Sequence, residues 1–157
     1  MLTERTYAGI LRKENITQNV HLLGWVQTRR DHGGVIFVDL RDRSGLVQIV
    51  FNPDMADKGF ELAEKLRSEY VIEVKGYVRL RPNGSENPNM PTGEIEVVAE
   101  QLKILNKAKT PPFYIQDGVD VDETVRLKHR YLDLRRPEMQ NIFIIKHKTM
   151  QIMRRFL

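Results

Sequence analysis

Cysteine is absent from these 157 residues. That excludes disulfides and thiolate metal sites, and it agrees with a reducing cytoplasm as the compartment. No apolar run approaches the length of a membrane span. No basic-then-apolar segment opens the chain as a signal peptide would, so neither a membrane partner nor export is expected. Histidine is scarce. His21, His32, His129 and His147 include no pair four residues apart, so no metal site is expected. There is no phosphate-cradling glycine loop of the P-loop or dinucleotide type. No nucleophile stands out among the serines and threonines. Asp39 and Asp42, beside Arg41 and Arg43, read as surface ion pairs or turn caps rather than an acid/base pair. The expectation is a chain with no catalytic residue and no cofactor of its own.

What is present describes a folding, soluble chain. Apolar residues make up 41% and charged residues 29%, enough for one domain with a core or a small domain with an appendage. Net charge is +4 and the pI is near 9.4. The excess is uneven: residues 1–110 hold 16 Lys and Arg against 15 Asp and Glu, whereas residues 111–157 hold 9 against 6. A nucleic-acid partner of the first region is therefore expected to be gripped by a local patch.

After a short leader, with one helical turn around Arg12 to Ile16, strands alternate with turns. Val20 to Arg30 is the first strand, with Gly24 as a bend or bulge. Asp31-His32-Gly33-Gly34 forms a turn, Val35 to Arg41 a second strand, and Leu46 to Phe51 a third. From about Asp57 to Arg67 the period is helical, with Phe60, Leu62, Ala63 and Leu66 supplying the apolar stripe. Tyr70 to Leu80 is a fourth strand, interrupted by Gly76. Arg81 to Thr92, with three prolines, is an exposed loop. Glu94 to Ala99, running on toward Leu105, is a fifth strand. This order predicts a mainly β fold: a five-stranded OB barrel with a helix between strands 3 and 4. An open α+β sheet is the alternative. Residues 1–105 are assigned to the barrel and 106–136 to a linker or hinge, with a helix over Thr124–Leu134. A C-terminal helix begins at Pro137 and runs to Leu157, with Ile142, Ile145, Thr149, Ile152, Met153 and Phe156 as its apolar positions.

Period-two alternation sorts the functional candidates. Ile36, Val38 and Leu40 share one face of the second strand; Phe37 shares the other with Asp39 and Arg41. An aromatic on a polar strand face is a platform for an unstacked base, or a ring covered by a loop or another domain. Of Arg29 and Arg30, one points outward in any register. Gln48 interrupts the apolar third strand on its outer face, where an amide both donates and accepts. Arg79 and Arg81 alternate outward on the fourth strand. Glu96 lies opposite Ile95 and Val97 and is able to accept from a guanine edge. Each charged or amide side chain alone also fits an ordinary solvated position. Together they suit a surface that splays, stacks and sorts bases.

Gly24-Trp25-Val26, Arg29-Arg30-Asp31, Ile36 to Asp42 and Val47 to Phe51 resemble the N-terminal anticodon-binding domain of bacterial aspartyl-tRNA synthetases. Arg126 to Pro137 (R-L-K-H-R-Y-L-D-L-R-R-P) resembles that family's hinge, leading into the motif 1 helix of class II enzymes. The resemblance covers essentially the whole chain, and residues 137–157 then open the catalytic domain. It implies a parent aspartate–tRNA ligase that uses ATP and magnesium through an aspartyl-adenylate and dimerises through motif 1. Motifs 2 and 3 are not in this sequence, so the fragment alone is expected to be inactive. It implies the tRNA anticodon stem-loop as partner, with guanine, uracil and cytosine as the bases read. By position, Phe37 is similar to the residue stacking on the middle base, Arg30 and Gln48 to base-edge contacts, and Glu96 to the reader of the first base. Arg79 and Arg81 resemble supporting contacts. His32, where strictly aspartate-specific enzymes often carry Leu, and Gly84-Ser85 in a variable loop resemble choices of relaxed enzymes that also charge asparagine tRNA. A stand-alone OB module binding single strands or proteins without base preference is the rival expectation.

Overall fold

The computed structural model describes residues 4–55 and 58–157. They fall into two compact units, 1–110 and 111–157. In the first, β1 (Asn19–His32), β2 (Val35–Asp42), β3 (Gly45–Phe51), β4 (Val71–Leu80) and β5 (Ile95–Asn106) close a barrel in the order β1-β2-β3-β5-β4. All neighbours are antiparallel except β3 and β5. The expected OB barrel is observed, and the helix α1 (Gly59–Glu64) lies between β3 and β4 as expected.

Alternation builds the core. Val20, Leu22, Val26, Ile36, Val38, Leu40, Val47, Ile49, Phe51, Ile72, Val74, Val78, Ile95 and Val97 all point inward and are buried. Each contributes roughly 1.5–3 kcal/mol by leaving water. Ala63 of α1 and Leu66 just beyond it join this core, with Phe60 and Leu62 packed against it. The helix is shorter than the predicted Asp57–Arg67, and Asp57 lies outside the described residues. Leu66 and Arg67 leave the helix through turn bonds to reach Glu69, which is left-handed at φ +65° and donates its N–H to the Val26 carbonyl at 2.7 Å.

Two devices shape β1. Gly33 and Gly34, at φ +60° and +80°, make the two-residue turn that pairs His32 with Val35, a geometry that needs positive φ at both centres. β1 therefore reaches His32 rather than ending at Arg30. The bulge is not at the predicted Gly24. Gly24 keeps register, and a Cβ there would lie 2.5 Å from the Arg41 carbonyl oxygen, so it permits close strand approach. The extra residue is Gln27: Val26 pairs with Leu40, but Thr28 pairs with Asp39. A second bulge leaves Glu100 of β5 unmatched between the Lys75–Gln101 and Gly76–Ala99 pairs.

In the second unit, the expected single helix over Thr124–Leu134 is two: α2 (Glu123–Lys128) and α3 (Arg130–Asp133), broken at His129, whose ψ of 42° is not helical. Leu127, Tyr131 and Leu134, which helical spacing puts on one side, are exposed; Leu132 packs with Phe113 and Ile115. The Asp122 side chain caps α2 by accepting from the Thr124 N–H at 2.8 Å. The Thr124 hydroxyl, and then that N–H, hold its carboxyl below the usual carboxylate range. Buried Asp133 receives Arg136 Nε at 2.8 Å and pairs with Arg130. α4 (Pro137–Phe156) starts with Pro at its first turn, as predicted, and its N-terminus is capped from afar by Asp117, which accepts from the Glu138 N–H at 3.1 Å. Ile142, Ile145, Ile152, Met153 and Phe156 on α4 are exposed. No described helix is long and apolar enough to cross a membrane.

Candidate nucleic-acid interface

The Gln27 bulge decides which arginine serves the outer face. Along the first part of β1, even-numbered residues point into the barrel. Unbroken alternation would send Thr28 and Arg30 inward as well. The extra residue reverses the parity. Arg29 pairs with inward-facing Val38, and its Nε donates to the Ala63 carbonyl of α1 at 3.2 Å. Arg30 pairs with Phe37 and faces out. Of the two arginines expected at the site, the structure brings only Arg30 to it.

Two cross-strand rows then run over the barrel's outer face. One is Arg30–Phe37–Val50–Val98–Tyr77, and it supports the aromatic ring. The other holds Thr28, Asp39 and Gln48 in register, then Glu96 paired with Arg79. Arg30, from the first row, joins this second row into a continuous hydrogen-bonded chain. Arg30 Nη2 donates to Asp39 Oδ1 at 3.0 Å and to Gln48 Oε1 at 3.2 Å. Gln48 Nε2 donates to Glu96 Oε2 at 2.9 Å, and Arg79 Nε donates to Glu96 Oε1 at 2.7 Å. Arginine only donates and a carboxylate only accepts, so the Gln48 amide is held in one orientation between them. Glu96 is 1% exposed and Gln48 8%. The solvated-position alternatives for these two are thereby excluded: a carboxylate so buried needs its partners.

Above this row lies a pocket of about 330 Å³. Six of the expected residues line it: Arg30, His32, Phe37, Gln48, Arg79 and Glu96. His32 meets the Phe37 ring edge-on, with centroids 6.4 Å apart. Phe37 is half-buried, outside the barrel core. Val35, Val50, Asn52, Pro82 and Ser85 complete the wall. Of these five, only Ser85 stands out in the sequence, beside Gly84 in the variable loop. Val50 was detectable, because it lies two residues from Gln48 on the same face; the others sit at strand ends and in the 81–94 loop, where no period applies.

Arg81 departs from the outward placement expected of it. It follows the end of β4 and is 7% exposed. Its Nε donates to the Ile95 carbonyl at 3.1 Å and its Nη1 to the Ser85 carbonyl at 3.4 Å. Burial pulls its pKa below the ordinary arginine range, against the opposing pull of Glu96 and Asp39. Arg81 thus anchors the loop that carries Pro82 and Ser85. Gly84, at φ +84°, is in that loop but does not line the pocket. Among the described residues, no group of three or more His, Cys, Asp or Glu is arranged to hold a metal ion.

A half-buried aromatic beside a fixed amide, a carboxylate and exposed guanidinium groups, on a closed five-stranded barrel, is the equipment of a domain that binds unstacked bases. Residues 20–105 match the OB-fold nucleic acid binding domain family, and residues 122–157 match tRNA synthetases class II (D, K and N). The chain belongs to the OB-fold nucleic acid binding domain family. It is 65% identical over 149 residues to the aspartate–tRNA(Asp/Asn) ligase of Heliobacterium modesticaldum, covering 95% of this chain and 25% of that protein. It is 58% identical over 156 residues to the aspartate–tRNA ligase of Oceanobacillus iheyensis, covering 99% and 26%. The crystal structure of asparaginyl-tRNA synthetase from Pyrococcus horikoshii complexed with asparaginyl-adenylate superposes with a TM-score of 0.82 at 28% identity, covering 100% of this chain and 34% of that one. The chain thus spans about a quarter of the length of the curated relatives it matches.

Proposed function

We propose that this chain reads the anticodon for an aspartate–tRNA ligase. The observation that carries the proposal is the Arg30–Gln48–Glu96–Arg79 chain of hydrogen bonds lying under Phe37. A flat ring stacks the middle base, the Arg30 guanidinium and Gln48 amide meet base edges, and the Glu96 carboxylate accepts from the first-position guanine. Arg79 holds Glu96 in place, and Arg81 holds the loop wall. The parent enzyme uses ATP and magnesium to form aspartyl-adenylate, dimerises through the apolar face of α4, and works in the cytoplasm. The ligation chemistry belongs to parts of the parent beyond this chain.

His32 against the Phe37 ring, and the small Gly84 beside Ser85, extend the proposal to a parent that charges both aspartate and asparagine tRNAs. Relatives named for both tRNAs agree with this. The two anticodons share their first two bases and differ at the third. Filter binding at one fixed salt concentration, with the intact anticodon stem-loop and each single-base variant, tests both parts. The expected result is weakened binding on changing the first or middle base, and near-equal binding of the aspartate and asparagine loops. Equal affinity for scrambled loops would overturn the anticodon assignment. A large preference for the aspartate loop would overturn only the dual specificity.

A further inference from the structure

We propose that Asp39 is a positioning residue which, together with Thr28, aims the Arg30 guanidinium at the base pocket. The proposal rests on the anticodon reading above and concerns how that site obtains its selectivity.

Asp39 is a poor choice for a surface that meets a polyanion. It nevertheless sits on the outer face of β2, in register with both Thr28 and Gln48. Neither of its oxygens is left to face a ligand. Oδ2 accepts from the Thr28 hydroxyl, and Oδ1 accepts from Arg30 Nη2 at 3.0 Å. The pair adds little to stability, because the Arg30 side chain is 46% exposed. Its geometric consequence is larger. A long arginine on an exposed strand end samples many rotamers, and binding costs the loss of that freedom. Here Nη2 is tied down twice, to Asp39 and to Gln48 Oε1. Nε and Nη1 have no partner among the described residues, and they remain as donors for a base edge. The hydroxyl–carboxylate pair is thus a support placed behind the guanidinium, on the strand face that the Gln27 bulge creates.

The test uses the anticodon stem-loop and a scrambled loop at one fixed salt concentration, with wild type, Arg30→Ala, Asp39→Ala, Thr28→Val and the Arg30→Ala/Asp39→Ala double variant. Wild type must first prefer the anticodon loop; if it does not, the anticodon reading fails before Asp39 is in question. Given that preference, Asp39→Ala is expected to cut the selectivity ratio about tenfold, the discrimination typical of one well-placed guanidinium on a base. Affinity for the scrambled loop stays level or rises, since a negative charge has been removed. Thr28→Val moves selectivity in the same direction by a smaller factor. In the Arg30→Ala background, removing Asp39 changes the ratio less than about twofold, because its target is gone. Equal losses for both loops, or full additivity with Arg30→Ala, would show that Asp39 is only part of the scaffold and overturn the proposal. Unchanged selectivity in Asp39→Ala would overturn it too.

Discussion

Phe37 lines the pocket of the proposed recognition surface and lies outside the barrel core. The core is filled by Ile36, Val38 and Leu40 on the other face of β2. Phe37→Ala is therefore expected to lower affinity for the anticodon loop by roughly 1–3 kcal/mol, the worth of one base stack, while the melting temperature moves little. Core residues behave in the opposite way: Phe51→Ala, at a fully buried side chain, is expected to cost about 3–5 kcal/mol of stability, read by denaturant unfolding. Residue types alone placed Phe37, Gln48 and Glu96 correctly, because an aromatic, an amide and a carboxylate each interrupt an otherwise apolar alternation. They did not place Arg81. An arginine looks the same in sequence whether it meets solvent or ties down a loop through the Ile95 and Ser85 carbonyls.

Elements carry the next level of information. Strand order and the intervening helix were legible because period two and period 3.6 are both long enough here to count. The bulge was not. Gln27 has no turn-forming chemistry, and glycine at 24 is the more obvious candidate. Yet Gln27 is the residue that reverses the parity of β1 and separates the fates of Arg29 and Arg30. Deleting Gln27 should remove the bulge while leaving Thr28 opposite Asp39 and Arg30 facing out, because Thr28 then follows Val26 directly. The expected outcome is anticodon-loop selectivity within about threefold of wild type; loss of selectivity in a folded deletion variant would contradict this register. The break between α2 and α3 was hidden for a related reason. The helical spacing of Leu127, Tyr131 and Leu134 continues through His129, but burial of Leu132 with Phe113 and Ile115 wins. The α2 cap has its own signature. The Asp122 carboxyl is depressed in the folded state, so its contribution is present above the unfolded pKa and is lost as pH falls through the lower, folded value. The Thr124 amide resonance is expected to titrate below the ordinary carboxylate range, and titration at or above that range would rule out the cap.

For the molecule as a whole, charge governs how the proposed RNA partner would be held. The barrel region is nearly neutral, so binding leans on stacking and base edges more than on phosphate neutralisation. A log–log salt slope of about −1 to −3 is expected for the anticodon stem-loop; a slope steeper than about −5 would indicate a general polyanion surface instead. Assignment of the whole chain from sequence succeeded because both halves of the molecule carry motif runs, not because the net charge of +4 distinguishes an RNA reader from any basic soluble domain.

The most direct measurement is binding of the anticodon stem-loop with the middle base removed to leave an abasic site, compared between wild type and Phe37→Ala at the same salt. If the Phe37 ring stacks on that base, its removal weakens wild-type binding by roughly 10- to 100-fold and leaves the Phe37→Ala variant unaffected. An equal loss in both proteins, or none in wild type, would contradict the account.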